Sequence, residues 1–208
     1  SKWFTPILNM ELACLVAVGA VSLYYGAPNM CNGANLVFSK EKFLAIGGYS
    51  GFEQVVSGDD EFLLYKMNAQ YPGRVGFVKS QQAVVETDPP ISLKGLLDQR
   101  KRWGSKWKAH KSLSTRLLAL LIFGFHLLFT TVIVLTLLGR YPWKLLLEQL
   151  VLKMIFEYLL VAPLLNFFGK RLRFQWVLFM QLVYSVYVVL IGLAAQFGSF
   201  NWKNRRYS

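Results

Sequence analysis

Two uncharged stretches, Leu117 to Gly139 and Phe174 to Gly198, constrain the fold more than anything else in this 208-residue chain. At 1.5 Å per helical residue, each is long enough to cross roughly 30 Å of hydrocarbon. A backbone in hydrocarbon must satisfy its own hydrogen bonds, so both are predicted as transmembrane helices. Trp176 near one end of the second stretch and Trp202 just past the other fit interfacial aromatic anchors. Composition agrees: 54% of the residues are hydrophobic and 16% are charged, where a soluble domain carries roughly a quarter.

Leu145 to Gly169 lies between them and is apolar except for Glu148, Lys153 and Glu157, with Pro163 expected to kink a helix. Lys153 and Glu157 stand four residues apart and share a helix face, so an internal ion pair is preferred over a proton or substrate path. The predicted spans are therefore residues 116–139, 145–169 and 174–198. Three crossings place Lys170 to Arg173 inside and Lys203 to Arg206 outside, and the positive-inside rule is not satisfied by both clusters. Thr5 to Tyr25 is predicted as a further helix, with Thr5 and Pro6 opening it and Gly26 and Pro28 ending it. Its Glu11, Gly19 and Ser22 favour a helix buried in, or lying under, the polar half over a fourth span.

The formal charge of +12 is compatible with nucleic-acid binding in principle. The positives gather at Lys94 to Arg116, Lys170 to Arg173 and Lys203 to Arg206, all flanking apolar spans, so membrane lipids are the expected partners and nucleic acid is not. Cys14 and Cys31 are the only cysteines. They are too few for a disulfide framework or a zinc site. The chain opens on Ser1 within an amphipathic pattern, which predicts a piece of a longer protein.

The polar half is turn-rich. Cys31-Asn32-Gly33-Ala34-Asn35 precedes a predicted strand at Leu36 to Phe38 and a short helix from Lys40 to Ala45; read alone, those glycines are ordinary loop punctuation. Ser57-Gly58-Asp59-Asp60-Glu61 then heads an apolar helical run. Acids in a first helical turn are ordinarily caps favoured by the helix dipole, but a carboxylate there also suits general-base chemistry. Asp59 and Asp60 project about 100° apart, so one is expected to turn away. Arg74 to Val78 and Ala83 to Glu86 read as two more strands. Ser92 to His110 reads as a basic amphipathic helix, with Leu93, Leu96, Leu97, Trp103 and Trp107 among its apolar residues and its cations snorkelling outward in the headgroup plane.

Taken in order, Cys-Asn-Gly-Ala-Asn, Gly-Asp-Asp-Glu-Phe-Leu-Leu and Gln99-Arg100-Lys101-Arg102-Trp103 before membrane helices resemble the C-terminal half of a membrane-embedded family-2 glycosyltransferase of the GT-A fold. That superfamily includes cellulose, chitin and hyaluronan synthases and ceramide glucosyltransferases. The resemblance implies an α/β part joined to an all-α membrane part. Residues 1–91 would form a partial GT-A domain, 92–112 an interfacial helix carrying Gln-x-x-Arg-Trp, and 113–208 the membrane region.

The same resemblance implies roles. Asp60 matches the general base; Gln99 and Arg102 match the residues that hold the donor diphosphate; Trp103, with Cys31, Asn32, Gly33 and Asp59, matches the acceptor side. It implies inversion by single displacement from a nucleotide-sugar donor, a UDP-sugar by expectation, to a lipid or glycan acceptor. The enzyme would face the cytosol at a bacterial inner or plasma membrane. Mg²⁺ or Mn²⁺ is expected on an Asp-x-Asp motif outside these residues, with no metal ligands in this chain, which would be inactive alone. The rival expectation is a non-enzymatic membrane scaffold or transport component, with Lys153 and Glu157 lining a path.

Overall fold

A computed structural model describes residues 4–52, 58–105, 113–196, 200–202 and 205–207. Ser57, Trp107, the 106–112 end of the predicted interfacial helix, the 197–198 end of the last predicted span and Lys203 lie outside them. Among the described residues, seven α-helices run in order: α1 (Thr5–Tyr24), α2 (Lys40–Ala45), α3 (Asp59–Gln70), α4 (Leu93–Ser105), α5 (Leu113–Leu137), α6 (Trp143–Phe167) and α7 (Phe174–Ala194). Two three-residue strands, β1 (Phe200–Trp202) and β2 (Arg205–Tyr207), close the chain as an antiparallel pair, with β1 against α4.

Among the described residues, three helices are long and apolar enough to cross a membrane: α1, Thr115–Leu137 of α5, and α6; a bent α7 counted as one span makes a fourth. Their outward residues, such as Leu121 (71% exposed) and Leu159 (65%), form apolar faces that suit hydrocarbon rather than water. Pro163 sits inside α6 without ending it.

The expectation for α1 is corrected in part. It is a helix that opens with Pro6 in its first turn, but Met10 and Ala13 form a cluster with Leu165 of α6, and Trp176 of α7 packs on it. Its C-terminal end meets the loop of the polar half, where a Cβ on Gly19 would stand 3.1 Å from the Met30 carbonyl oxygen and Ser22 Oγ donates to Asn29 Oδ1 at 2.6 Å, and its Glu11 meets α4.

The three predicted strands of the polar half are also corrected. Among the described residues, Leu36 to Phe38, Arg74 to Val78 and Val84 to Glu86 belong to no ladder, and Gln81–Ala83 is a 3₁₀ turn that ends at the extended Val84. Valine and phenylalanine favour a strand only where a neighbour accepts its backbone groups, and no described segment pairs with these. Asn35 Nδ2 donates to the Ala83 carbonyl, tying the Asn32–Asn35 turn to this 3₁₀ turn by a side chain instead.

The contacts of α7 run in an informative order. Its two halves, Phe174–Gln181 and Val183–Ala194, meet at 54°. The first half passes from Trp176 beside Leu165 to Gln181, which joins Lys153 and Glu157. The second passes from Ser185, 3.0 Å from His126 Nδ1, to Gly192, where a Cβ would stand 2.7 Å from Phe123, and on to Ala195, whose Cβ lies 2.5 Å from a Cβ built on Gly104 of α4. Lys170, just before α7, pairs with Glu86 of the polar half at 2.5 Å. Both ends of α7 therefore lie against the polar half.

Candidate active site

Gly58 takes φ 102°, a left-handed conformation open chiefly to glycine, and so starts α3 abruptly with Asp59 and Asp60 in its first turn. Asp59 is exposed; Asp60 is half-buried and fixed. Asp60 Oδ2 accepts from the Gly33 N–H at 2.9 Å, and Oδ1 accepts from the Glu61 N–H at 2.9 Å.

The loop bearing Gly33 is itself held from both sides. Asn29 is buried and bonded to Ser22 of α1, while Tyr65 of α3 donates its hydroxyl to the Asn29 carbonyl at 2.7 Å. Burial, with Glu61 nearby, pushes the Tyr65 phenol well above its usual range, so it remains a donor there. Asn32 Oδ1 accepts from the Ala34 N–H at 3.0 Å and closes the turn.

One cavity of about 2140 Å³ takes in Cys31, Asn32, Gly33, Asp59 and Asp60 on one side and Arg102 and Trp103 of α4 on another. Arg102 is half-buried; burial weakens its hold on its proton, and Asp60 and Asp59 oppose that, so the guanidinium sits in the field of both acids. The cavity continues onto apolar side chains of the membrane-capable helices, among them Leu118, Ile122 and Phe123 of α5 and Leu193 of α7. It thus has a charged wall and a hydrocarbon wall.

Seven of the eight predicted site residues meet at this cavity. Gln99 does not: its side-chain oxygen accepts from Arg100 Nη1 at 2.9 Å and it is not among the cavity walls. One part of the α4 reading is corrected: Arg100 does not snorkel outward. Leu93 and Leu97 are exposed, whereas Leu96 and Arg100 are buried, because Arg100 points inward to the Glu11 carboxylate. The sequence held one signal for this: Glu11 is the only acid within α1, and an acid in an apolar helix needs a counter-charge.

Among the described residues no group of three His, Cys, Asp or Glu side chains is placed to hold a metal ion. These described residues offer Mg²⁺ or Mn²⁺ no such ligand set. Lys153 and Glu157 form the predicted ion pair at 2.6 Å, and both bond Gln181 of α7; neither lines the cavities described. Gln181, Ser185 and His126 are further buried polar residues of this bundle that the sequence reading did not single out.

The family model for glycosyl transferase family 21 matches residues 8–208. This chain belongs to that family. Its role is glycosyl transfer, and the family-2 resemblance holds at that coarser level. No curated protein and no solved structure matches the chain. Membership of a glycosyltransferase family sets aside the scaffold reading.

Proposed function

We propose that this chain forms the acceptor side of an inverting, nucleotide-sugar-dependent glycosyltransferase acting at the cytosolic face of a membrane. The observation that carries the reading is the shared cavity: the Asp60 carboxylate, the Arg102 guanidinium and the Trp103 indole line one hollow although two helices separated along the chain supply them.

Asp60 is the general base on this reading. As the acceptor hydroxyl oxygen bonds to the anomeric carbon, its proton passes to the Asp60 carboxylate, and the bond from that carbon to the diphosphate oxygen breaks with its electron pair. Arg102 offers the departing diphosphate a planar, permanent charge. The Trp103 indole covers the apolar face of a sugar or acceptor. One base and no covalent nucleophile give a single displacement with inversion.

The apolar continuation of the cavity favours a lipid acceptor over a polysaccharide, since a growing glycan gains nothing from Leu118, Ile122 and Phe123. The polar half is read as the acceptor side of a GT-A domain, with a UDP-sugar as donor. Asp60→Asn in the full-length protein, assayed with membrane lipid and nucleotide-sugar, is expected to lower kcat at least 100-fold while thermal unfolding stays within about 1 kcal/mol. Undiminished transfer by that variant overturns the assignment of the base.

A further inference from the structure

Arg100 is buried more deeply than any other cation of α4 for which burial is described, and it faces away from the diphosphate residue Arg102. At about 100° per residue the two side chains leave the helix roughly 160° apart, with Trp103 in the sector between. Arg100 is 7% exposed and uses every edge of its guanidinium. Nη2 pairs with the Glu11 carboxylate of α1, Nε donates to the Tyr187 hydroxyl of α7 at 3.0 Å, and Nη1 donates to Gln99 at 2.9 Å. Its guanidinium carbon stands 4.4 Å from the centre of the Trp103 ring. Glu11 is nearly as enclosed, with 11% of its side chain exposed.

We propose that Arg100 and Glu11 are a positioning pair that fixes the Trp103 indole at the acceptor end of the cavity; this rests on the function proposed above. A planar fork bonded at three points cannot rotate without breaking a buried hydrogen bond, and the indole stacked on it shares that restraint. Because Glu11 belongs to α1 and Tyr187 to α7, the acceptor seat is referenced to two membrane-capable helices rather than to α4 alone. Neither Arg100 nor Glu11 touches the reacting atoms.

A single truncation leaves one charge buried without its partner and confounds folding with positioning. The paired variant Glu11→Met/Arg100→Met removes both charges at similar volume, a change that buried pairs commonly tolerate. Arg100→Lys keeps the charge opposite Glu11 but cannot hold Tyr187, Gln99 and the indole together.

The expected result, with initial rates measured at varied lipid acceptor and varied nucleotide-sugar, is an acceptor KM raised about tenfold in both variants, the donor KM within about twofold, and cooperative thermal unfolding retained in Arg100→Lys. Acceptor and donor KM rising together in Arg100→Lys, or neither moving, overturns the proposal. If the paired variant does not fold, Arg100→Lys decides alone by the same split. The two readings fail separately: full transfer by Asp60→Asn removes the base, whereas loss of transfer there beside unaltered acceptor KM in the Arg100 variants removes only the positioning pair.

Discussion

Asp60 and Gly33, 27 residues apart in sequence, are joined by a 2.9 Å hydrogen bond from the glycine N–H to Oδ2, and a methyl built on that glycine would stand 3.0 Å from the same oxygen. The spacing is tighter than ordinary van der Waals contact. The carboxylate has little room to retreat, because the Glu61 N–H holds its other oxygen. Gly33 is thus required by the nearness of the acid itself, in addition to any ligand that passes above it.

Gly33→Ala is therefore expected to displace the Asp60 carboxylate by a few tenths of an ångström and to lower kcat by about 10- to 100-fold, since small misplacements of a reacting group are amplified in rate. The global stability cost should stay near 1 kcal/mol, because the loop remains held by Asn29. Steady-state kinetics and thermal unfolding on the same preparation check both halves. A kcat equal to that of the unsubstituted protein contradicts the argument.

Lys153 and Glu157 provide a separate prediction about the bundle. The lysine side chain is 7% exposed and the glutamate 35%, so the two single truncations are not equivalent. Glu157→Leu strands a deeply buried ammonium on Gln181 and should destabilise by about 3 kcal/mol, whereas Lys153→Leu leaves a carboxylate that is still partly accessible and should cost less. Replacing both, with Gln181→Leu added so that its buried amide is not left unpaired, is expected to return to within about 1 kcal/mol of the starting stability. Thermal unfolding in detergent measures all three; a combined variant worse than either single one refutes the pairing argument.

The placement of α7 yields a topological prediction. Lys170 meets Glu86 before the helix begins, and Ala195 meets Gly104 after it ends. The chain's last residues should therefore lie on the same side of the membrane as the polar half, which also places both late basic clusters on one side, as the charge rule prefers. In a background with Cys14 and Cys31 replaced by serine, Val37→Cys and Ser208→Cys should react with an impermeant maleimide from one and the same face of sealed vesicles. Labelling from opposite faces means that α7 crosses completely.

What the sequence made legible is what local rules govern. Uncharged runs announced α5 and α7, and the observed α6, Trp143–Phe167, begins two residues before the predicted span because Pro142 supplies its N-cap. The four-residue spacing of Lys153 and Glu157 announced their pairing. The motifs at Cys31 to Gly33, Asp59 to Asp60 and Arg102 to Trp103 do meet at one cavity. Distant partnerships were not legible: Arg100 finds Glu11 across 89 positions and Tyr187 across 87, and no periodicity encodes either. The polar-half strands were read from propensity, which is silent on whether a neighbouring strand is present.

The two unlike walls of the cavity bear on the energetics of substrate delivery. Withdrawing a lipid into water costs about 0.8 kcal/mol for each methylene exposed, so lifting a long-chain alcohol wholly out of a bilayer would add on the order of 10 kcal/mol to the work of loading. On the lipid-acceptor reading proposed above, a hollow whose far side is built from Leu118, Ile122, Phe123 and Leu193 would let such a molecule slide sideways, keeping its tail in an oily setting while its hydroxyl swings toward Asp60. Extraction is then unnecessary, and the work of loading falls to lateral diffusion.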